Sequence, residues 1–413
     1  MSSADSAPRA TPRAAALPVL LLASTLAVMA GAMITPVLEV IRGDLDLSGT
    51  AAGLVITAHG LAIAVTSPVV GRLIDRYGVR GPLAGGLVLY GVAGAAGLFT
   101  DDYAALIAGR FVFGAGAAAV FSGTTVALLA LYQGPERDRV MGWRSTATSL
   151  GGVVWPLIGG ALGGLSWHAP FAVYLVGVPI GLAALFVLPA GSTGPKGTTG
   201  GVLPLLRERP ALLGYYALQA VAAILLYGVA VFLPQRLARI GVEEPFLVSL
   251  YTVVMMAAMS LVGLVYAKLR AAAGYPALLR TAALTWVVSF VLLGTVDQPW
   301  LLLVAPMLFG LGQGIAFPAL TVLVGEAAPA ERRGQATSLS GTANFAGQFV
   351  SPLLLGPVVA ATSLTTGFLA AAALSAVVFL ALLRMRHTER QTPQNPPTSK
   401  DDLTLNAPGT KSS

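Results

Sequence analysis

Apolar runs long enough to cross a bilayer recur along this chain at about 17–40, 50–71, 81–99, 103–131, 141–164, 168–189, 210–235, 246–267, 275–296, 299–325, 335–361 and 364–384. A spanning helix needs ~20 such residues, and core helices of soluble domains seldom supply runs of that length. In lipid only helices and closed barrels satisfy every backbone polar group. Runs this continuously apolar lack the polar-inward alternation of barrel strands. The sequence therefore predicts an all-α integral membrane protein with twelve transmembrane helices. The composition agrees, with 55% hydrophobic and 10% charged residues.

Arginine and lysine collect on the cytoplasmic side of membrane proteins. With the N-terminus inside, every one of the 25 basic residues except Arg42, Arg110, Arg236 and Arg239 falls in a cytoplasmic segment. Asp44, Asp46, Asp101, Asp102, Glu243, Glu244 and Asp297 fall outside. A miscount by one span would scramble this sorting. It predicts a multi-pass protein of the inner (plasma) membrane, surrounded by lipid, with both termini cytoplasmic. The first apolar run is read as a retained helix rather than a cleaved signal, because it is long enough to span and leads directly into further spans. The polar ends, 1–16 and 387–413, are expected to be disordered tails.

The net charge of +7 is spread over short membrane-face loops, so topology accounts for it without nucleic acid. There are no cysteines, and His59, His168 and His387 lack metal-ligand spacing, so neither a metal nor a cofactor is expected. No Ser/His/Asp set and no phosphate-cradling G-x-x-x-x-G-K-S/T loop is present. An enzyme is not expected, and any energised work must draw on an ion gradient.

Residues of the first half recur 196 positions later. Gly78 matches Gly274, Asp101 matches Asp297, Gly114 and Gly116 match Gly310 and Gly312, Phe121 matches Phe317, Thr125 matches Thr321, Pro156 matches Pro352 and Gly160 matches Gly356. A constant offset across five spans indicates duplication of a six-helix unit. The expected organisation is one bundle at 17–189, a Gly/Ser/Thr/Pro-rich cytoplasmic linker at 190–209 and a second bundle at 210–386.

Between the second and third spans stands "GRLIDRYGVRGPL". With twelve spans in two repeats, this loop resembles the major facilitator superfamily, whose signature there reads G-x-L-x-D-R-x-G-R-K/R-x-x-L. Gly71, Leu73, Asp75, Arg76, Gly78, Arg80 and Leu83 fit, and Val79 stands where a basic residue is usual. "RFVFGAGAA" in span four is similar to the family's R-x-x-x-G-x-G-x-A pattern through Arg110, Gly114, Gly116 and Ala118. "GGVVWPLIGG" in span five is similar to the pattern of proton-driven exporters through Gly151, Pro156, Gly159 and Gly160, with Trp155 replacing the central glycine.

The resemblance implies the major facilitator fold, a drug/proton antiporter-like activity and a gating loop. In that loop Asp75 docks near the start of span eleven, after Glu331–Gly334, when the inner side is closed. It also implies a substrate cavity lined mainly by spans one, four, seven and ten. Phe113, Phe121 and Trp155 in the first half, with Gln219, Tyr227, Gln313, Phe317, Asn344 and Gln348 in the second, are the cavity candidates. Each polar member has a second reading as interhelical glue.

Candidates for proton coupling or buried charge are Asp75, Arg110, His59 and Glu39. An arginine within a span costs ~2.5–3.5 kcal/mol or more unless it faces a partner, a wet cavity or water beyond the helix end. The expected function is a monomeric secondary exporter of small organic molecules, neutral, amphipathic or weakly anionic, driven by proton antiport through alternating access. The alternatives are a proton-coupled uptake symporter for a sugar, carboxylate or inorganic anion, and a non-transporting membrane receptor or scaffold.

Overall fold

The computed structural model of the chain describes residues 12–189, 202–329 and 332–384. Most of the expected tails, residues 190–201 of the linker, and Glu331 lie outside these. The first half contains α1 (Pro12–Ala32), α2 (Leu38–Asp44), α3 (Gly49–Tyr77), α4 (Arg80–Gly94), α5 (Tyr103–Leu131), α6 (Gly134–Gly163), α7 (Ala169–Val173) and α8 (Gly177–Val187). The short helix α9 (Val202–Glu208) leads to α10 (Ala211–Arg239), α11 (Pro245–Thr295), α12 (Pro299–Leu302), α13 (Val304–Ala327), α14 (Arg333–Ala361) and α15 (Leu364–Arg384). No strand occurs among the described residues.

Ten helical segments are long and apolar enough to cross a membrane. One of them, α11, is two helices that meet at Gly274, where φ is 71° and ψ 167°. Outside the ten, α6 has 30 residues, but its first turns carry Glu136, Arg137, Asp138 and Arg139. Both arms of α11 together with α6 bring the rods to the twelve expected from sequence. Helix starts follow local chemistry: Ser48 Oγ accepts from the Ala51 amide at 3.2 Å, and Asp102 Oδ1 from the Ala105 amide at 2.7 Å. Pro245 and Pro299 occupy first-turn positions, where no amide donor is needed.

The repeat is visible in backbone and packing. Gly78, which ends α3, has φ 78° and ψ 167°, nearly the conformation of Gly274. Only glycine adopts this region without strain, so both repeats turn from their second to their third span in the same way. A Cβ on Gly114 would lie 2.5 Å from the His59 carbonyl oxygen and 2.6 Å from Ala62 Cβ. A Cβ on Gly310 would meet the Met255 carbonyl oxygen and Ala258, the residues 196 positions beyond His59 and Ala62. Close approach of two backbones replaces side-chain packing at both crossings.

Each half has its own aromatic core. Tyr90 packs on Phe113 with ring centroids 4.5 Å apart, and the equivalent pair Trp286 and Phe309 lies 6.1 Å apart. Buried polar side chains bond to neighbouring helices, as lipid-embedded interiors require. Trp155 Nε1 donates to the Thr25 carbonyl at 3.1 Å, Tyr90 Oη to Leu26 at 2.7 Å, and Tyr174 Oη to Ala30 at 3.0 Å. In the second half Ser351 Oγ donates to the Ile224 carbonyl at 2.7 Å and Ser340 Oγ to Gln219 Oε1. Within the expected linker, α9 buries Leu205 against Leu212, Val324, Ala328 and Ala336. An apolar residue at a helix-compatible position thus docks the end of this connection on the second half.

Candidate functional site

The two halves meet along two seams, one where α14 faces α3 and one where α6 faces α11. At the end opposite to the one where α1 starts, the far end, both seams are shut by equivalent glycines. A Cβ on Gly160 of α6 would lie 2.7 Å from the Pro245 carbonyl oxygen and 2.8 Å from Ser249 Cβ, both of α11. A Cβ on Gly356, its repeat mate in α14, would meet Thr50 of α3. On α3 itself, a Cβ on Gly53 would lie 2.5 Å from Pro352 Cβ and 2.9 Å from Val231 Cγ1. Helices this close seal both seams at these levels, and a cavity at this end, about 310 Å³ between Glu39 and Arg42 of α2 and Gln235, Ala238 and Arg239 of α10, lies beside them.

Toward the end where α1 starts, the terminal end, a gap opens between α3 and α5 on one side and α14 on the other. The gap is a cavity of about 440 Å³ lined by Ala64, Ser67, Phe121, Ser122, Thr125, Val126, Gly334, Thr337, Ser338, Gly341, Thr342 and Phe345. Phe121 and Phe345 meet edge to face across it, centroids 5.6 Å apart and planes at 87°. Asp75 at the foot of α3 is exposed, with no ion pair to α14. Arg76 lies 5.2 Å over the Tyr77 ring, Arg80 is half-buried at the start of α4, and a Cβ on Gly71 would meet open space.

The seam also carries a buried polar contact between the halves. His59 on α3 is 2% exposed, and its Nε2 lies 3.3 Å from Nε2 of Gln348 on α14, itself 1% exposed. A carboxamide nitrogen only donates, so the imidazole nitrogen accepts. Gly60 admits this carboxamide: a Cβ there would come 2.9 Å from Gln348 Cδ. Tyr227 on α10 is half-buried beside the same carboxamide, with its hydroxyl 3.5 Å from where a Gly31 Cβ would stand.

Arg110 lies behind His59. It is 2% exposed, so it does not snorkel to water, and none of its nitrogens has a hydrogen bond of ordinary geometry. Three rings surround it instead, Phe171 at 4.9 Å and Phe113 and Tyr174 at 5.3 Å from the guanidinium carbon. Cation–π attraction of ~0.5–2 kcal/mol per contact partly replaces the missing acid. Glu39 is far from this cluster. It sits near the far end in a two-pronged pair with Arg42, Nε to Oε2 at 2.8 Å.

The structure thus brings together His59, Arg110, Phe113, Gln348 and Tyr227, and separately places Phe121 at the crevice. Phe113 is fully enclosed by Tyr90, Tyr174 and His59 rather than facing a cavity. Gln219 is bonded to Ser340, and Trp155 to α1. Gln313 is buried, its Oε1 without a hydrogen bond, Asn344 is half-buried, and Phe317 is 47% exposed away from the crevice. Gly114, Gly116, Gly151, Gly159 and Gly160 all sit at helix crossings, and Pro156 is buried within α6. Phe345, Tyr174 and the hydroxyl row on α14 were not among the sequence candidates. Tyr174 carried no signal beyond its place in span six, whereas "ATSLSGTANF" is an unusually polar opening for a span.

Comparison with known proteins follows from this architecture. The family model described as Major Facilitator Superfamily matches residues 20–278 and 245–410. "Cephamycin export protein CmcT" of Amycolatopsis lactamdurans is 32% identical over 40% of this chain and 34% of its own length. "Multidrug resistance protein 1" of Bacillus subtilis is 29% identical over 34% and 36%, and "Quinolone resistance protein NorA" of Staphylococcus aureus is 28% identical over 41% and 43%. The matched region thus spans well under half the length of these curated relatives. Among solved structures, the nucleoside transporter NupG superposes with a TM-score of 0.74 at 14% identity, covering 91% of this chain and 100% of that one. A POT family transporter gives 0.77 at 14% identity, over 89% and 95%. On the family match across both halves, the chain belongs to the Major Facilitator Superfamily.

Proposed function

We propose that this protein exports small organic molecules across the plasma membrane by alternating access, in exchange for protons, with the terminal end facing the cytoplasm. The observation that carries the reading is an asymmetry between the halves: both seams are glycine-shut at the far end, and a cavity opens beside the α3/α14 seam at the terminal end. That arrangement is the inward-open half of a transport cycle in a two-repeat bundle. The export names of the relatives and the basic residues at the terminal end support direction and topology.

For coupling, His59 combines burial, a ring nitrogen able to accept a proton, and a bond between the halves that must break when they rock. Its Nε2 lone pair accepts from Gln348 in the inward-open form. The same lone pair cannot hold a proton while doing so, because two donors would then face each other. Protonation therefore requires the inter-half contact to part or the Gln348 carboxamide to turn its oxygen toward the ring, which links the proton to the relation between the halves. Among the described residues every acidic side chain lies in a loop or in the first or last two turns of a helix, so no carboxylate competes for this role mid-span.

The test uses everted membrane vesicles that overproduce the chain. Respiration-driven acidification should drive accumulation of a neutral aromatic compound, and a protonophore should abolish it. Accumulation that survives the protonophore removes proton coupling. Substrate movement only in the opposite direction favours the uptake symporter, and no movement of any screened compound favours the receptor reading.

A further inference from the structure

The crevice between α3, α5 and α14, which supports the transport reading through its opening, also has a lining with a chemistry of its own. No charged side chain lines it. Ser67 Oγ donates to the Ile63 carbonyl at 2.6 Å, Thr125 Oγ1 to Phe121 at 3.1 Å, Thr337 Oγ1 to Arg333 at 2.9 Å and Thr342 Oγ1 to Ser338 at 3.3 Å. Each hydroxyl thus commits its proton to its own helix and keeps only lone pairs for a neighbour. These four line the cavity with acceptors. The Phe121 and Phe345 rings, touching each other with one ring from each half and Phe121 42% exposed, add an aromatic wall.

We propose that this crevice is a binding site for an uncharged aromatic molecule carrying at least one N–H or O–H donor, and that its occupancy holds the halves apart at the terminal end. A donor finds acceptors already oriented, whereas a permanent cation finds no acid to replace its hydration. The volume of about 440 Å³ suits a ligand of two or three rings. The walls belong to different halves, so a filled crevice cannot narrow, and a ligand that binds only the parted form shifts the population toward it. The opposite seam lacks this aromatic pair: the position equivalent to Phe345 is Ser149, and no ring contact is made by Phe317 among the described residues. The site goes beyond the export reading, since its occupant need not be carried.

Glycines make the site testable. A Cβ on Gly341 would meet nothing within 4 Å, so Gly341→Leu fills the crevice without a clash; Gly142, equally open on α6, supplies the control. N-phenyl-1-naphthylamine, a neutral aromatic amine with one N–H that fluoresces when buried, is titrated into the purified full-length chain. Its N-methyl analogue and tetraphenylphosphonium serve as comparisons. Saturable binding is expected, weakened at least tenfold by Gly341→Leu, unchanged by Gly142→Leu, weakened several-fold by N-methylation, and insensitive to tetraphenylphosphonium. Thr125→Val with Thr337→Val should weaken the amine but not its N-methyl analogue.

The chain has no cysteine, so spin labels on Tyr77→Cys and Arg333→Cys can report the terminal opening. At ten times its Kd the amine should lower the closed fraction about tenfold. Wild-type affinity in a natively folded Gly341→Leu protein, equal displacement by tetraphenylphosphonium, or an unchanged distance distribution at saturation would each overturn the proposal. Gly341-sensitive binding in a chain that moves no compound in energised vesicles would leave the site standing and remove the export reading. Transport without such binding would do the reverse.

Discussion

His59 and Gln348 lie on opposite halves of the bundle and join them through a 3.3 Å contact between two nitrogens, both side chains nearly sealed from solvent. A bond placed between the two halves ties local chemistry to how the bundles lean on each other.

That bond lends itself to a double-mutant cycle. Gln348→Leu leaves a buried imidazole nitrogen unsatisfied and should destabilise the protein by ~1–3 kcal/mol. His59→Leu alone should do the same to the carboxamide. The double variant, apolar on both sides, should recover most of the loss in thermal unfolding followed by tryptophan fluorescence. Additive losses would show that the two side chains do not interact.

Gly78 and Gly274 share a left-handed backbone that side chains resist. Gly78→Ala and Gly274→Ala should each cost ~1–3 kcal/mol. Gly71→Ala, in the interior of α3 with open space around its Cβ, should instead stabilise the helix by ~0.5–1 kcal/mol. Melting temperatures of the three purified variants check the contrast in sign.

Gly114 and Gly310 hold equivalent backbone crossings. Alanine at either would place a methyl group against a carbonyl oxygen of α3 or α11 that cannot retreat without moving its helix. Destabilisation of ~1–3 kcal/mol is expected at each, as for other overpacked interiors. A variant that melts like the wild type at both positions would show the crossings to be looser than they stand here.

Asp75 is exposed and has no ion pair among the described residues, so Asp75→Ala should alter folding stability by less than ~0.5 kcal/mol. If Asp75 docks on the start of α14 when the terminal end closes, the lost helix-terminus interaction is worth ~0.3–2 kcal/mol. Transport should then fall by up to roughly thirty-fold at equal protein level. The equivalent loop has Ala271 in place of an acid, and Ala271→Asp should not restore the activity of Asp75→Ala.

Much of the architecture was legible because lipid simplifies the code. Apolar run length marks the spans, basic residues mark one face, and the 196-residue offset exposes the duplication that Gly78 and Gly274 display in their backbones. The site was only partly legible. His59, Arg110 and Gln348 stood out as polar residues in apolar runs, and each proved buried. Phe113 and Phe121 looked alike in sequence, yet one is sealed inside a half and the other lies on the crevice. In a helix buried among helices, the faces toward lipid, toward a neighbour and toward a cavity are all apolar, so periodicity cannot separate them.

The sequence by itself determined the all-helical, many-span character, the clustering of basic residues and the repeat, because transfer of residues and backbone into lipid depends on local composition. Only the tertiary structure decided which end of the seams is shut, that Arg110 rests on three rings rather than an acid, that His59 meets Gln348, and that hydroxyls from both halves share one crevice. Most of those relationships join residues far apart in the chain, His59 and Gln348 being 289 positions apart, and depend on how helices and the two bundles lean on each other, which no local pattern encodes.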